Sequence, residues 1–280
     1  MTSDTPRFEV LATGYGLIEG PTVAPDGGLW FSDVLGGGVF HLAPSGVVTT
    51  AVPKRRGVGG IAAHADGGLV CGGRDLVHVK DGATRTLFAI DGLPGWNDLC
   101  TDASGRVYAG AVRFRVFDPG VTAVPGECWR VDGAGRAAEL YADVQHANGI
   151  AVSPDERWLA HSDTRGQRVI VHALREDGSV AERRHIPVSG HADGLAFDET
   201  GAFWVALAGS GRIDRFAIDG TPLGSLAVPA RMVTSLCFAG DSLRELIVVT
   251  ADNALEPTGK GAVLCTRAPV PGAVVHPARV

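Results

Sequence analysis

Four oxygen-bearing residues, Glu19, Asn97, Asn148 and Asp193, are placed in the chain so that they could share one ligand. Each opens a copy of the same short segment: a polar residue, usually a Gly, an aliphatic strand start, a Gly-containing turn, then a second apolar run. If the copies are arranged round a common axis, two carboxylates and two amides meet. Carboxylates crowded into a narrow channel repel one another, and a divalent cation is their natural compensator. An all-oxygen set suits Ca²⁺ best, with Mg²⁺, Mn²⁺, Fe²⁺ or Zn²⁺ as alternatives. Asn or Asp before Gly is also an ordinary turn signal, and coincident turn chemistry stands as the competing reading at this point.

The elements that would position these residues follow from the repeat. Copies start at Glu19, Gly59, Asn97, Asn148, Asp193 and, more weakly, Thr234, with spacings of 40, 38, 51, 45 and 41 residues. Periods of about 40–45 residues that each offer several short strands match the blade of a β-propeller. Every copy supplies a hairpin, and the stretches between copies, such as 39–42, 168–172 and 212–216, supply further strands. The segments 8–12 and 262–266 are both strand-like, so one can complete the last blade with the other and close the ring. The fold class predicted is all-β, a six-bladed β-propeller with a central metal-binding channel, in one domain over residues 1–280. The 39 Gly and 16 Pro are dispersed along the chain, as turns between many short strands require. Trp30, Trp158 and Trp204 recur inside the copies and are expected in the core.

Composition excludes several partners. The net charge is −6, and the only basic cluster, Lys54–Arg56, is read as a solvated turn rather than a nucleic-acid surface. No apolar run reaches the roughly 18 residues that a membrane span needs. Residues 1–6 lack the basic-then-apolar pattern of a secretory signal. The five cysteines are scattered, which suits reduced core thiols and a cytoplasmic location better than a disulfide frame. Neither a Gly-x-Ser-x-Gly elbow nor a His-Glu-x-x-His motif is present.

The segments opening at Glu19, Asn97, Asn148 and Asp193, with 234–240 and 248–250 behind them, resemble the SMP-30/gluconolactonase/LRE (regucalcin-like) family over nearly the whole chain. The resemblance implies one divalent metal held by Glu19, Asn148 and Asp193, with Asn97 joining directly or through water. It also implies lactonase or carboxylic-ester hydrolase chemistry on a small molecule, with Asp193 as general base toward a metal-activated water. Asp98 is expected to stand behind the ligands as an acceptor that orients them. His146 and His191, each two residues before a ligand, are expected nearer the mouth, where they could touch substrate or carry protons; backbone-bonded loop histidines are the alternative. Trp96 is expected to wall the pocket or to pack between blades.

The chain departs from the family pattern where sugar lactonases grip their substrate. The arginine often found two positions before the third-blade asparagine is Gly95, and the acidic residue expected after that blade is replaced within 112–116, which brings Arg113 and Arg115. Both arginines are candidate substrate contacts, with exposed strand positions as the alternative, and the substrate is expected to differ from simple sugar lactones. Two other functions remain open on this scaffold: a metal-dependent isomerase, hydratase or cyclase, and a non-catalytic calcium-binding propeller. A monomer or weak homo-oligomer is expected.

Overall fold

The computed structural model describes residues 6–251 and 260–280; all but the last residue of the 1–6 segment lies outside them. Strand β1 (Glu9–Tyr15) is followed by six successive groups. The first blade holds β2 (Ile18–Val23), β3 (Leu29–Asp33), β4 (Gly38–Leu42) and β5 (Val48–Pro53). The second holds β6 (Ile61–Ala63), β7 (Leu69–Cys71), β8 (Leu76–Lys80) and β9 (Ala83–Phe88). The third holds β10 (Gly95–Thr101), β11 (Val107–Val112), β12 (Gly126–Val131) and β13 (Ala137–Val144). The fourth holds β14 (Ala147–Val152), β15 (Trp158–Asp163), β16 (Arg168–Leu174) and β17 (Val180–Pro187). The fifth holds β18 (His191–Phe197), β19 (Phe203–Ala208), β20 (Arg212–Phe216) and β21 (Pro222–Ala227). The sixth holds β22 (Val233–Ala239), β23 (Glu245–Thr250) and β24 (Gly261–Arg267), and β1 completes it.

Each group is a four-stranded antiparallel sheet, and together the six form a six-bladed β-propeller. The closure is a direct pairing of β1 with β24, from Glu9 opposite Cys265 to Tyr15 opposite Gly261. One strand from the start of the chain thus removes the free edge of the last blade. Among the described residues there is no helix long and apolar enough to cross a membrane.

Alternation along the strands sends side chains into the spaces between blades, because each sheet has both faces covered. An apolar cluster consequently fills every blade interface. Ile18, Phe31, Ile247 and Val249 join blades one and six, and Val39, Val58, Ile61 and Val77 join one and two. Leu76, Trp96, Leu99 and Ala109 join two and three, and Tyr108, Cys128, Ile150 and Leu159 join three and four. Val171, Ile186, Leu195 and Phe203 join four and five, and Trp204, Ile213, Leu236 and Val248 join five and six. Trp30 and Trp204 are buried in these clusters, while Trp158 is half-buried beneath the Arg184 guanidinium. All five cysteines are free thiols.

After β24 the chain crosses beneath the ring. Gly272 bridges Asp198, and Ala273 N donates to Phe197 O of blade five. Thr101 Oγ1 of blade three donates to His276 O, and Ala278 bridges His64 of blade two. This strap ties together blades on opposite sides of the axis. It also floors a cavity of about 770 Å³ lined by the far halves of the innermost strands, including Ile61, Leu99, Ile150, Leu195 and Leu236.

Candidate metal centre

A regular innermost strand would direct its side chains into the two neighbouring interfaces and leave the channel to backbone edge. Here the pairing slips. Between Trp96 and Leu99, Ala147 and Ile150, and Ala192 and Leu195, the innermost strand has one residue more than its partner. The same slip follows Glu19 in β2. The extra residues fall at Asn97-Asp98, Asn148-Gly149 and Asp193-Gly194. A β-bulge of this kind breaks the alternation and re-aims a side chain. The predicted leading residues therefore sit one or two positions inside their strands, at the bulges.

Two glycines explain the small residues around them. A Cβ on Gly59, the leading residue of blade two, would overlap Asn97 Oδ1, so the second blade yields its place to the third blade's amide. A Cβ on Gly194 would overlap Ser235 of the next blade, so the x-Gly pairs here serve close approach between innermost strands rather than tight turns.

Hydrogen bonds between blades fix the ring. Thr234 Oγ1 donates to Ile18 O at 2.5 Å, and Ser32 Oγ donates to Val58 O at 2.5 Å. Asn97 Nδ2 donates to Ala147 O at 2.8 Å, and Asn148 Nδ2 donates to Thr164 Oγ1 at 3.2 Å. Thr164 Oγ1 in turn donates to Ala192 O at 2.6 Å. With both amide nitrogens committed to the protein, the carbonyl oxygens of Asn97 and Asn148 are their remaining ligating atoms.

The carboxylates are in tension. Glu19 and Asp193 are both buried. Burial, then the charges of Asp193 and Asp98, raise the Glu19 pKa well above the ordinary carboxylate range. Burial and Asp98 do the same to Asp193, partly offset by the Asn148 side chain and the Gly194 backbone. Asp193 Oδ1 is buried without a hydrogen-bond partner. Such an orphaned carboxylate oxygen, on a group that feels the charge of Asp98 and itself raises the pKa of Glu19, is what a divalent cation satisfies. The residues present thus fit the group. Among the described residues no three His, Cys, Asp or Glu side chains converge as ligands, so the candidate set is two carboxylates completed by two amides.

The remaining predicted residues separate into three places. Asp98 accepts from Leu99 N at 2.8 Å, and burial pushes its pKa up to about 7. It is a third channel carboxyl, and it alone of the predicted set also lines the cavity above the strap. His146 is half-buried just before β14: its ring meets Phe114 edge-on at 5.3 Å, and burial, then Arg165, pull its pKa down to about 4. His191, the first residue of β18, is exposed and close enough to His146 to contribute to that shift. Arg113 pairs with Glu127 at 2.9 Å, an acid two strands' ends away in sequence and not anticipated. Arg115 is exposed in the loop between β11 and β12.

Trp96 requires a correction as a pocket wall. It is 1% exposed, with its ring 5.5 Å from Phe88 in the interface of blades two and three. Adjacent residues of a strand point opposite ways, so turning Asn97 toward the axis sends Trp96 into the core.

A family model described as the SMP-30/Gluconolactonase/LRE-like region matches residues 17–252. The chain belongs to this family. A 6-deoxy-6-sulfogluconolactonase of Pseudomonas putida is 30% identical over 87% of this chain and 88% of its own length. A pentonolactonase of Haloferax volcanii is 29% identical over 86% of this chain and 84% of its own. Among solved structures, a calcium-binding protein, regucalcin, of Agrobacterium tumefaciens superposes with a TM-score of 0.84 at 22% identity, covering 99% of this chain and 98% of that one. The family's members thus include sugar lactonases, and the shared fold is the six-bladed propeller.

Proposed function

We propose that the chain is a divalent-metal-dependent hydrolase of lactones or related carboxylic esters, acting on a small molecule other than a simple sugar lactone. The observation that carries this reading is the pair of buried carboxylates, Glu19 and Asp193, with Asp193 Oδ1 left without a partner at the axis. Glu19, Asn97, Asn148 and Asp193 would hold the cation, and Ca²⁺ is the first candidate given the calcium-binding relative. When bound, it supplies a Lewis acid that polarises an ester carbonyl and acidifies water.

The chain's own groups would do the rest. Asp193 is the general base: its carboxylate would accept the proton of the attacking water, and burial raises its proton affinity toward what that task needs. Asp98 adds negative charge behind both carboxylates and so supports their affinity for a cation. His146, held neutral by burial, can accept a hydrogen bond from substrate, and His191 stands exposed beside it. Gly95 in place of an arginine and the replaced acidic residue within 112–116 remove two grips on a polyhydroxylated ring, which favours a less hydroxylated substrate, and Glu127 already engages Arg113. The free thiols support a reducing, cytoplasmic setting.

Product mass tests the reaction class. Hydrolysis of a lactone panel adds one water to each substrate, whereas isomerisation leaves the mass unchanged. Asp193→Asn is expected to lower turnover at least about 100-fold, the usual weight of a general base. Full turnover in that variant would remove the mechanism.

A further inference from the structure

We propose that Arg165 is an anion-binding residue at the channel mouth, so that the substrate of the hydrolase proposed above is a lactone or ester carrying an oxyanion substituent remote from the scissile carbonyl. The inference rests on that functional reading for the scissile bond, but its evidence is separate.

Arg165 follows Thr164, the residue whose hydroxyl receives the Asn148 amide. It is exposed, and its guanidinium lies 5.1 Å from the centroid of the buried Phe114 ring. The same ring meets His146 edge-on, so one aromatic side chain places the guanidinium and the imidazole side by side, two residues from a metal ligand. A guanidinium stacked on a ring keeps its N–H edge free for a carboxylate, sulfonate or phosphate.

Three neighbouring arginines are occupied, whereas Arg115, exposed in the loop that carries Phe114, is not held on an aromatic ring among the described residues. Arg113 pairs with Glu127, Arg168 with Asp163 and Arg212 with Asp214. No ion pair or hydrogen bond engages the Arg165 guanidinium among the described residues. The acid nearest in sequence, Asp163, is fully buried and accepts from His146 N, Gly166 N and Arg168. In a chain of net charge −6, the mouth beside Asn148 thus presents Arg165, His146 and His191 with that carboxylate turned inward. A neutral substrate gives a preorganised, acid-free guanidinium at this place no role; an anionic one does.

The test compares γ-butyrolactone-γ-carboxylate with its carboxamide, which differs in charge and not in ring. Arg165→Gln is expected to raise KM for the carboxylate about ten-fold, the worth of one charge-assisted hydrogen bond, with little change in kcat. The preference for carboxylate over carboxamide should collapse with it. Arg157→Gln, the same charge change at the opposite end of blade four, should leave the preference intact. Calorimetric binding of the product 2-hydroxyglutarate separates this proposal from the hydrolase reading. If neither lactone is hydrolysed but 2-hydroxyglutarate binds wild type about ten-fold more tightly than Arg165→Gln, the hydrolase reading fails and the anion site stands. Equal binding to both proteins, or an unchanged carboxylate preference in Arg165→Gln, overturns the proposal.

Discussion

Replacing Glu19 by Gln removes one of two buried carboxylates of raised pKa while keeping size and shape, and its effect is expected to have opposite signs with and without metal. In wild-type protein held in chelator, Glu19 and Asp193 each carry the cost of burial and of the other charges in the channel. Glu19→Gln relieves part of that, so its thermal midpoint in chelator should lie above that of wild type. Adding cation at about 100 times its dissociation constant stabilises wild type by about 2.7 kcal/mol. For a chain of this size that is a rise of about 5 °C. With one of the two anionic ligands gone, a loss of about 100-fold in affinity leaves a stabilisation of only about 0.4 kcal/mol at the same concentration, under about 1 °C. The assay is differential scanning calorimetry of both proteins in chelator and in Ca²⁺, Mg²⁺ and Mn²⁺. A Glu19→Gln protein that keeps the wild-type metal shift, or that is less stable than wild type in chelator, would refute the reasoning.

Three further outcomes follow from the packing. Gly59→Ala puts a methyl group where Asn97 Oδ1 lies, so the amide must move; we expect a cost of about 1–3 kcal/mol and a smaller metal-induced rise in midpoint, read by the same calorimetry. His161 is fully buried and bonded to the Tyr141 hydroxyl at 2.9 Å, and burial pulls its pKa down to about 3 from an ordinary 6.5. It is neutral in the fold and charged in the unfolded chain below pH 6.5, so stability drops as pH falls from 6.5 toward 3, by up to about 1.4 kcal/mol per pH unit from this residue. His161→Gln should flatten that acid limb in urea titrations, even if its stability at pH 7 is lower. We also propose that residues 1–280 unfold as one unit, because β1 and the strap bind early and late segments of the ring together; a single calorimetric transition is expected, and two resolved transitions would oppose it.

Much of the ring was legible because a repeat announces itself without knowledge of partners. The spacing of Glu19, Asn97, Asn148 and Asp193, and the strand character of 8–12 and 262–266, sufficed for blade number and closure. The bulges were not legible, since a register slip is a relation between two strands and leaves no period in either one. That is why Trp96, next to Asn97 in sequence, was a candidate wall although it is core. The Arg113–Glu127 pair lay hidden across a loop whose length reflects the 51-residue spacing after Asn97. The strap is illegible for a different reason: residues 268–280 hold the ring mainly through backbone hydrogen bonds, which any sequence can donate or accept. The one visible trace of the bulges was the Gly that follows Glu19, Asn148 and Asp193, which reads equally well as a turn.

The most direct test of the account is acid release from lactones in a pH-stat, with protein stripped of metal and then reconstituted. Hydrolysis by wild-type protein should vanish in chelator, return with Ca²⁺ or another divalent cation, and fail to return in Glu19→Gln at the same concentration. Turnover that persists in chelator, or that returns equally in Glu19→Gln, would contradict a cation held by these residues as the centre of the chemistry.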